Sequence, residues 1–329
     1  MQQMIRRWGL ILSLLWSMTS GVLAPSRVLA QTFPDHTVHI IVNFGAGGSA
    51  DTLARLIGQE LQTRLGQSFV VENKTGAGGN IGADFVAHAS PDGYTLLVTP
   101  NSFALAPAFY TKLSFDPVKS FAPVSLFGFI PDVIVVHPSL PVKTLADLVA
   151  LAKSKPGQIS YASAGYGSGN HLRTELFNQL AGIDLVHVPY RANPIAEIDV
   201  IGGRVPVMFD LLLTAISHIR QGELRALATT SDKRAALLPD TPTITETGYP
   251  DLVSGTWFGA YAPAGTPKAV VDKLNKEINA ILTAPAMAER LATLGVEVTP
   301  GGPEELGRLT AEDFVKWAPV VVKAGIKPE

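Results

Sequence analysis

Cysteine is absent from all 329 residues. With it go disulfides, cysteine-built metal centres, thiol nucleophiles and the residue on which a bacterial lipoprotein anchor is built. Histidine occurs at 36, 39, 88, 137, 171, 187 and 218, but never as H-E-x-x-H and with no carboxylate at ligand spacing, so no metal site is expected. No G-x-S-x-G elbow is present, because Ser49 and Ser168 fall outside that frame, and no P-loop lysine follows a glycine loop. Hydrolysis and phosphoryl transfer lose support accordingly. Basic runs are missing too: 26 Lys and Arg face 28 Asp and Glu, which argues against a nucleic-acid surface.

Long apolar stretches are scarce, and the one near the start reads as an address. Arg6 and Arg7 precede the apolar stretch Trp8 to Leu15, and Val28-Leu29-Ala30 offers the small-residue exit that signal peptidase accepts. Val22-Leu23-Ala24 is a poorer exit because Pro25 follows it. The stretch is broken by serine, threonine and glycine and is shorter than the ~20 residues of a membrane span. Residues 1–30 are therefore expected to be a signal peptide cleaved after Ala30, with the mature chain in the periplasm. Cleavage removes three arginines and no acidic residue, leaving a formal charge near −5.

What remains is 47% apolar over the whole chain, enough for substantial cores. Strand-like and helix-like segments alternate, the mark of an α/β protein with a largely parallel sheet. Val38 to Val42 is a buried-strand run, followed by Gly45-Ala46-Gly47-Gly48 and then by Leu53, Leu56, Ile57, Leu61 and Leu65 at helical spacing. Ser68 to Val71 reads as the next strand, ahead of Gly76-Ala77-Gly78-Gly79 and a helix over 80–89. Thr144 and Asp147 have capping-box spacing before a helix over 145–153. Ile159 to Ala162 leads into Gly165-Tyr166-Gly167-Ser168-Gly169 and a helix over 170–180. Thr266 and Pro267 read as the cap and first residue of another helix. Apolar crossings at 133–136 and 256–262 divide the chain into two lobes, 31–132 with 256–329 and 133–255, the C-terminal helices returning to the first.

Each glycine loop lies after a strand and before a helix. A helix start presents unpaired N–H groups and the positive end of the dipole, so it attracts an anion without a cationic side chain. Glycine permits close approach to that backbone. Asn101 and Ser102, just past the strand over 94–99, are further polar candidates. Asp210 ends the strand over 205–209, where it either faces the cleft and favours a donor on the ligand or caps the helix that follows. The first loop also fits G-x-G-x-x-A, with Glu72 22 residues past Ala50, the spacing of a dinucleotide fingerprint.

The runs IIVNFGAGGSADTLAR (40–55), ENKTGAGGNIGADFVA (72–87), PDGYTLL (91–97), YASAGYGSGNHL (161–172), HVPY (187–190), IGGRVPVMFD (201–210) and WFGAYAPAGTP (257–267) are similar to the Bug family. These are extracytoplasmic solute-binding receptors of tripartite tricarboxylate transporters, and the likeness spans nearly the whole mature chain. It implies an α/β, two-lobed periplasmic binding protein fold of type II-like form with the ligand cleft between lobes. It implies a monomer that binds a small organic carboxylate, serves membrane subunits of a tripartite transporter, and needs no cofactor or catalytic residue. Carried over, the first ligand loop is Phe44, Gly45, Ala46, Gly47, Gly48, Ser49 and Ala50. The second is Ala164, Gly165, Tyr166, Gly167, Ser168, Gly169 and Asn170, with Asp210 toward the variable end. Asn43 stands where the family usually has proline and Ala50 where it has threonine, and Ala192-Asn193-Pro194-Ile195 replaces a glycine-serine-x-proline segment. Two other readings stay open: a nucleotide-dependent enzyme using the Gly45–Gly48 loop, and an orphan receptor acting in signalling.

Overall fold

The computed structural model describes residues 33–323, so the expected signal peptide and its cleavage point lie outside the described residues. β1 (Val38–Val42) pairs in parallel with β2 (Phe69–Asn73) on one side and β3 (Thr95–Pro100) on the other. It is nearly all apolar because it is covered on both faces, as parallel strands are. Between β1 and β2 runs α1 (Ser49–Leu65), whose Leu53, Leu56, Ile57 and Leu61 are buried; Gly66 ends it in the left-handed conformation. After β2 the glycine loop leads into α2 (Asn80–Ala87), and after β3 a 3-10 turn over Asn101–Leu105 runs into the single turn α3 (Ala106–Phe109).

β4 (Phe121–Val136) is a 16-residue strand that ends in the apolar segment 133–136. Its first part pairs antiparallel with β9 (Gly255–Pro263), and from Asp132 onward it pairs with β7 (Val207–Leu211). One strand thus belongs to two half-sheets. The first half has the order β2-β1-β3-β9-β4, and the second continues β4-β7-β5-β6, where β5 is Ile159–Ser163 and β6 is Leu185–Pro189. β8 (Arg225–Thr229) and β10 (Glu297–Gly301) also pair with β4.

The second half is wrapped by α4 (Leu145–Ser154), α5 (Gly169–Ala181), α6 (Asn193–Ile201) and α7 (Leu212–Arg220). The capping box at α4 is formed: Asp147 N donates to Thr144 Oγ1 at 3.1 Å, and Thr144 N donates to Asp147 Oδ2 at 2.9 Å. Thr266, by contrast, is not a helix cap. Its hydroxyl donates to Pro263 O at 2.8 Å, and α8 (Lys268–Leu282) starts from Pro267 without a side-chain cap. α9 (Pro285–Thr293) and α10 (Pro303–Lys323) complete the chain.

Two apolar cores follow the two half-sheets. Phe103, Phe121, Trp257 and Tyr261 centre the first, and Tyr161, Phe177 and Phe209 the second. α10 serves both, with Leu306 in the first core and Trp317 and Val321 in the second, so it does more than return to the first half. Among the described residues no helix is long and apolar enough to cross a membrane.

Candidate functional site

α1 and α5 begin at the same cleft. α1 follows Gly48 and α5 follows Ser168, and neither start carries a side-chain cap. The first intrahelical acceptors are Gly48 O, bonded by Thr52 N, and Ser168 O, bonded by Leu172 N, so the amides of Ser49, Ala50, Gly169 and Asn170 precede the ladders. All four residues line one cavity, which encloses about 570 Å³, part of it open to solvent. Two of its wall residues, Ser49 and Ser102, are buried and have hydroxyls without a hydrogen-bond partner among the described residues. Such groups are costly unless something occupies the cavity to meet them.

Of the residues anticipated from sequence, Phe44, Gly45, Gly48, Ser49, Ala50, Asn101, Ser102, Ala164, Ser168, Gly169 and Asn170 meet on this wall. Gly165 and Tyr166 line a neighbouring cavity with Gly76–Gly79, Tyr110 and Arg191. Ala46, Gly47, Gly167 and Asp210 line neither. Gly47 shapes the first loop instead: its φ is +79°, and its N–H donates to Asp51 Oδ2 at 2.9 Å. Asp51 also accepts from Arg55 Nε at 2.9 Å and Asn73 Nδ2 at 3.0 Å, and these donors hold its carboxyl below the usual range despite burial. Gly167, with φ +75°, donates its N–H to His171 Nδ1 at 3.3 Å.

That histidine anchors a ring stack beneath the second loop. His171 lies on His187 with centroids 4.1 Å apart, and His187 on Tyr161 at 5.0 Å. Burial pushes His171 down to about 3 and His187 down to about 4, so both rings are neutral at physiological pH and His171 Nδ1 is free to accept.

Asp210 is placed by the strand period. Phe209 and Leu211 face the cavity, so Asp210 between them faces away. Its Oδ1 accepts from Leu211 N at 2.8 Å, from Thr214 Oγ1 at 2.9 Å and from Asn193 Nδ2. Burial and the neighbouring Glu197 push its carboxyl well above the ordinary value. Its influence reaches the cavity through Asn193, whose Oδ1 accepts from Asn170 Nδ2 at 2.8 Å, and Asn170 Oδ1 in turn accepts from Ala164 N at 3.2 Å.

Sequence reasoning missed Asp132, Arg173, Asn193 and Thr256 on the wall. Asp132 had a visible signal, a single charge inside the apolar run over 129–136. Burial pushes its carboxyl up to about 6 against the pull of Arg173. Glu72, the acidic residue of the dinucleotide fingerprint, is absent from the wall and pairs with His39 Nδ1 at 2.5 Å and Lys74 Nζ at 3.6 Å.

Two half-sheets joined by the shared strand β4, with opposed helix starts at the cleft, define a two-lobed periplasmic binding protein fold. Periplasmic binding protein BugD has this fold with a TM-score of 0.87 at 37% identity, over 90% of this chain and 100% of BugD. Residues 53–326 match the tripartite tricarboxylate transporter family receptor model, TctC, and the chain belongs to that family of solute-binding receptors. It is 37% identical over 311 residues to protein BugT of Bordetella pertussis, covering 94% of this chain and 95% of BugT. The structure of Rpa4515 from R. palustris with adipate is similar at a TM-score of 0.87 and 35% identity, over 90% of this chain and 100% of that one.

Proposed function

We propose that this receptor captures a small organic carboxylate in the periplasm and presents it to the membrane subunits of a tripartite transporter. The observation that carries the reading is the meeting of two uncapped helix starts, from opposite half-sheets, at a cavity whose buried Ser49 and Ser102 hydroxyls lack partners among the described residues. Adipate in the related Rpa4515 structure is a carboxylate of the expected kind. A signal peptide ending at Ala30 fits the same location, and the monomer is the binding unit. The family is one of receptors.

Micromolar capture corresponds to about −8 kcal/mol. Charged hydrogen bonds of ~1.5–3 kcal/mol each, with ~0.3–1 kcal/mol from each helix end, reach that after ordering costs. In this reading residues 31–132 with 256–329 form one lobe and 133–255 the other, and they close on the ligand about the segments 133–136 and 256–262.

Calorimetry of the purified protein against mono-, di- and tricarboxylates is expected to find at least one binder. Stabilisation by nucleotides and by no carboxylate would overturn the reading in favour of an enzyme. A genomic neighbourhood holding a sensor in place of transporter subunits would move the receptor from transport to signalling.

A further inference from the structure

Asn101 stands on the cavity wall with its amide held in one direction. The residue follows β3, opens the 3-10 turn over Asn101–Leu105 and is 4% exposed. Its Nδ2 donates to Asp313 Oδ2 at 3.0 Å, and Trp257 Nε1 donates to the same oxygen at 2.9 Å. An indole N–H only donates, so Asp313 Oδ2 is an acceptor and Asn101 must turn its NH2 toward it. The carbonyl Oδ1 of Asn101 is left with no hydrogen bond among the described residues, and it is not sealed off as the hydroxyls of Ser49 and Ser102 are.

Three distant stretches of chain build this arrangement. β3 pairs antiparallel with β9, and the register that sets Pro100 against Phe258 brings Asn101 next to Trp257. Asp313 arrives on α10, two turns after Leu306 enters the first core. Burial pushes its carboxyl above the ordinary value, and the donors from Asn101 and Trp257 pull it back.

A free acceptor is the opposite of what a carboxylate head group needs. A carboxylate brings lone pairs and no donor, and the amides at the two helix starts meet it as donors. Asn101 Oδ1 therefore calls for an N–H or O–H elsewhere on the guest. A hydroxyl supplies one donor and no charge. An ammonium brings three donors and a positive charge to a cavity at which two helices already point their positive ends. Asp210, the residue whose sequence position suggested a partner for a donor on the ligand, faces away from the wall, and the task falls to Asn101.

We infer that Asn101 determines specificity by selecting a carboxylate with a hydroxyl on its body over the deoxy acid of the same skeleton, and that Asp313 is the positioning residue that makes Asn101 an acceptor. This rests on the capture function proposed above and adds to it: the helix starts take the carboxylate, and Asn101 Oδ1 takes the hydroxyl. Because Asp313 fixes the amide, Oδ1 reads a hydroxyl on one face of the guest and tells enantiomers apart.

The test is calorimetry on the mature protein with both enantiomers of malate beside succinate, of 2-hydroxyadipate beside adipate, of lactate beside propionate and of 3-hydroxybutyrate beside butyrate. In the native protein one hydroxy enantiomer is expected to bind about tenfold or more tighter than its deoxy partner. In Asn101→Leu, which keeps the size and removes the acceptor, that ratio falls to near one. In Asp313→Asn, where the new amide can donate as well as accept, Asn101 is free to turn and the ratio falls in the same direction. A purely structural role would weaken both acids of a pair alike; a ratio that persists in the folded variants therefore overturns the inference, as does a native ratio near one in every pair that binds. If neither variant folds, the native pairs decide: preference for one enantiomer over both its mirror image and the deoxy acid supports the anchor, and equal binding of all three overturns it. Binding without any hydroxyl preference sinks this inference alone, whereas binding of no acid sinks the capture function with it.

Discussion

Gly45 and Ala192 meet across the cleft so closely that a Cβ at position 45 would stand 2.2 Å from the Cβ of Ala192. Gly45 has no positive φ, so the approach of the facing segment, rather than backbone conformation, requires glycine there. Pro194 comes similarly near to Gly47, at 3.7 Å from the position of its missing Cβ. The first loop therefore seats against the 192–195 segment, the stretch in which this chain departs from the family pattern.

Gly45→Ala is expected to hold the two halves apart and weaken carboxylate binding by about tenfold or more. Adding Ala192→Gly removes the colliding atom and restores affinity. Calorimetry on the single and double variants checks this, and native affinity in Gly45→Ala alone contradicts it.

The unpartnered hydroxyls make a different prediction. Ser49→Ala and Ser102→Ala remove buried polar atoms that have no partner among the described residues, so stability is unchanged or slightly higher. Binding weakens roughly three- to tenfold for each, the worth of one hydrogen bond. Paired melting curves and titrations check it; a fall in stability without a fall in affinity means these hydroxyls serve the fold.

Asp210→Asn keeps the shape of the side chain and is expected to leave affinity unchanged, because Asp210 faces away from the wall. Asp210→Ala strips acceptors from Leu211, Thr214 and Asn193 and costs about 1–3 kcal/mol of stability. Chemical denaturation and titration of both variants separate the two effects. A strong loss of binding in the asparagine variant would restore Asp210 to the ligand.

The histidine stack sets a pH response. His171 and His187 have folded-state values of about 3 and about 4, below the ordinary value near 6.5, so on acidification the unfolded chain takes up protons first. Their contribution to stability is complete above about pH 6.5 and is lost as the pH falls through that value toward the folded ones. Each tenfold difference in proton affinity between the folded and unfolded chain is worth ~1.4 kcal/mol. Ring-proton titration by NMR checks this directly. Titration of either ring near 6.5 in the folded protein contradicts it.

Local chemistry was legible in the chain where neighbours in sequence decide the outcome. β1 falls on the segment 38–42, and the Thr144–Asp147 box is formed, because hydrophobic periodicity and capping are local. Most of both loops meets on one wall for the same reason, since strand-glycine-helix units place helix starts at the sheet edge. What stayed hidden depends on distant partners. β10 is a half-exposed strand without a strong pattern that exists by pairing with β4. Thr266 has the right type and spacing for a cap, but its hydroxyl finds Pro263 O instead. Arg173 reads as an ordinary helix residue until Asp132, 41 positions earlier, is brought against it. The direction of Asp210 follows from β-strand alternation only once the strand is known to extend to Leu211.

The most direct measurement is a crystal structure with the tightest binder from the carboxylate panel. A carboxylate oxygen is predicted within about 2.7–3.2 Å, directly or through one water, of a main-chain N–H at Ser49 or Ala50 and of another at Gly169 or Asn170. A ligand held by side chains alone, with those four amides turned away from it, would contradict the account.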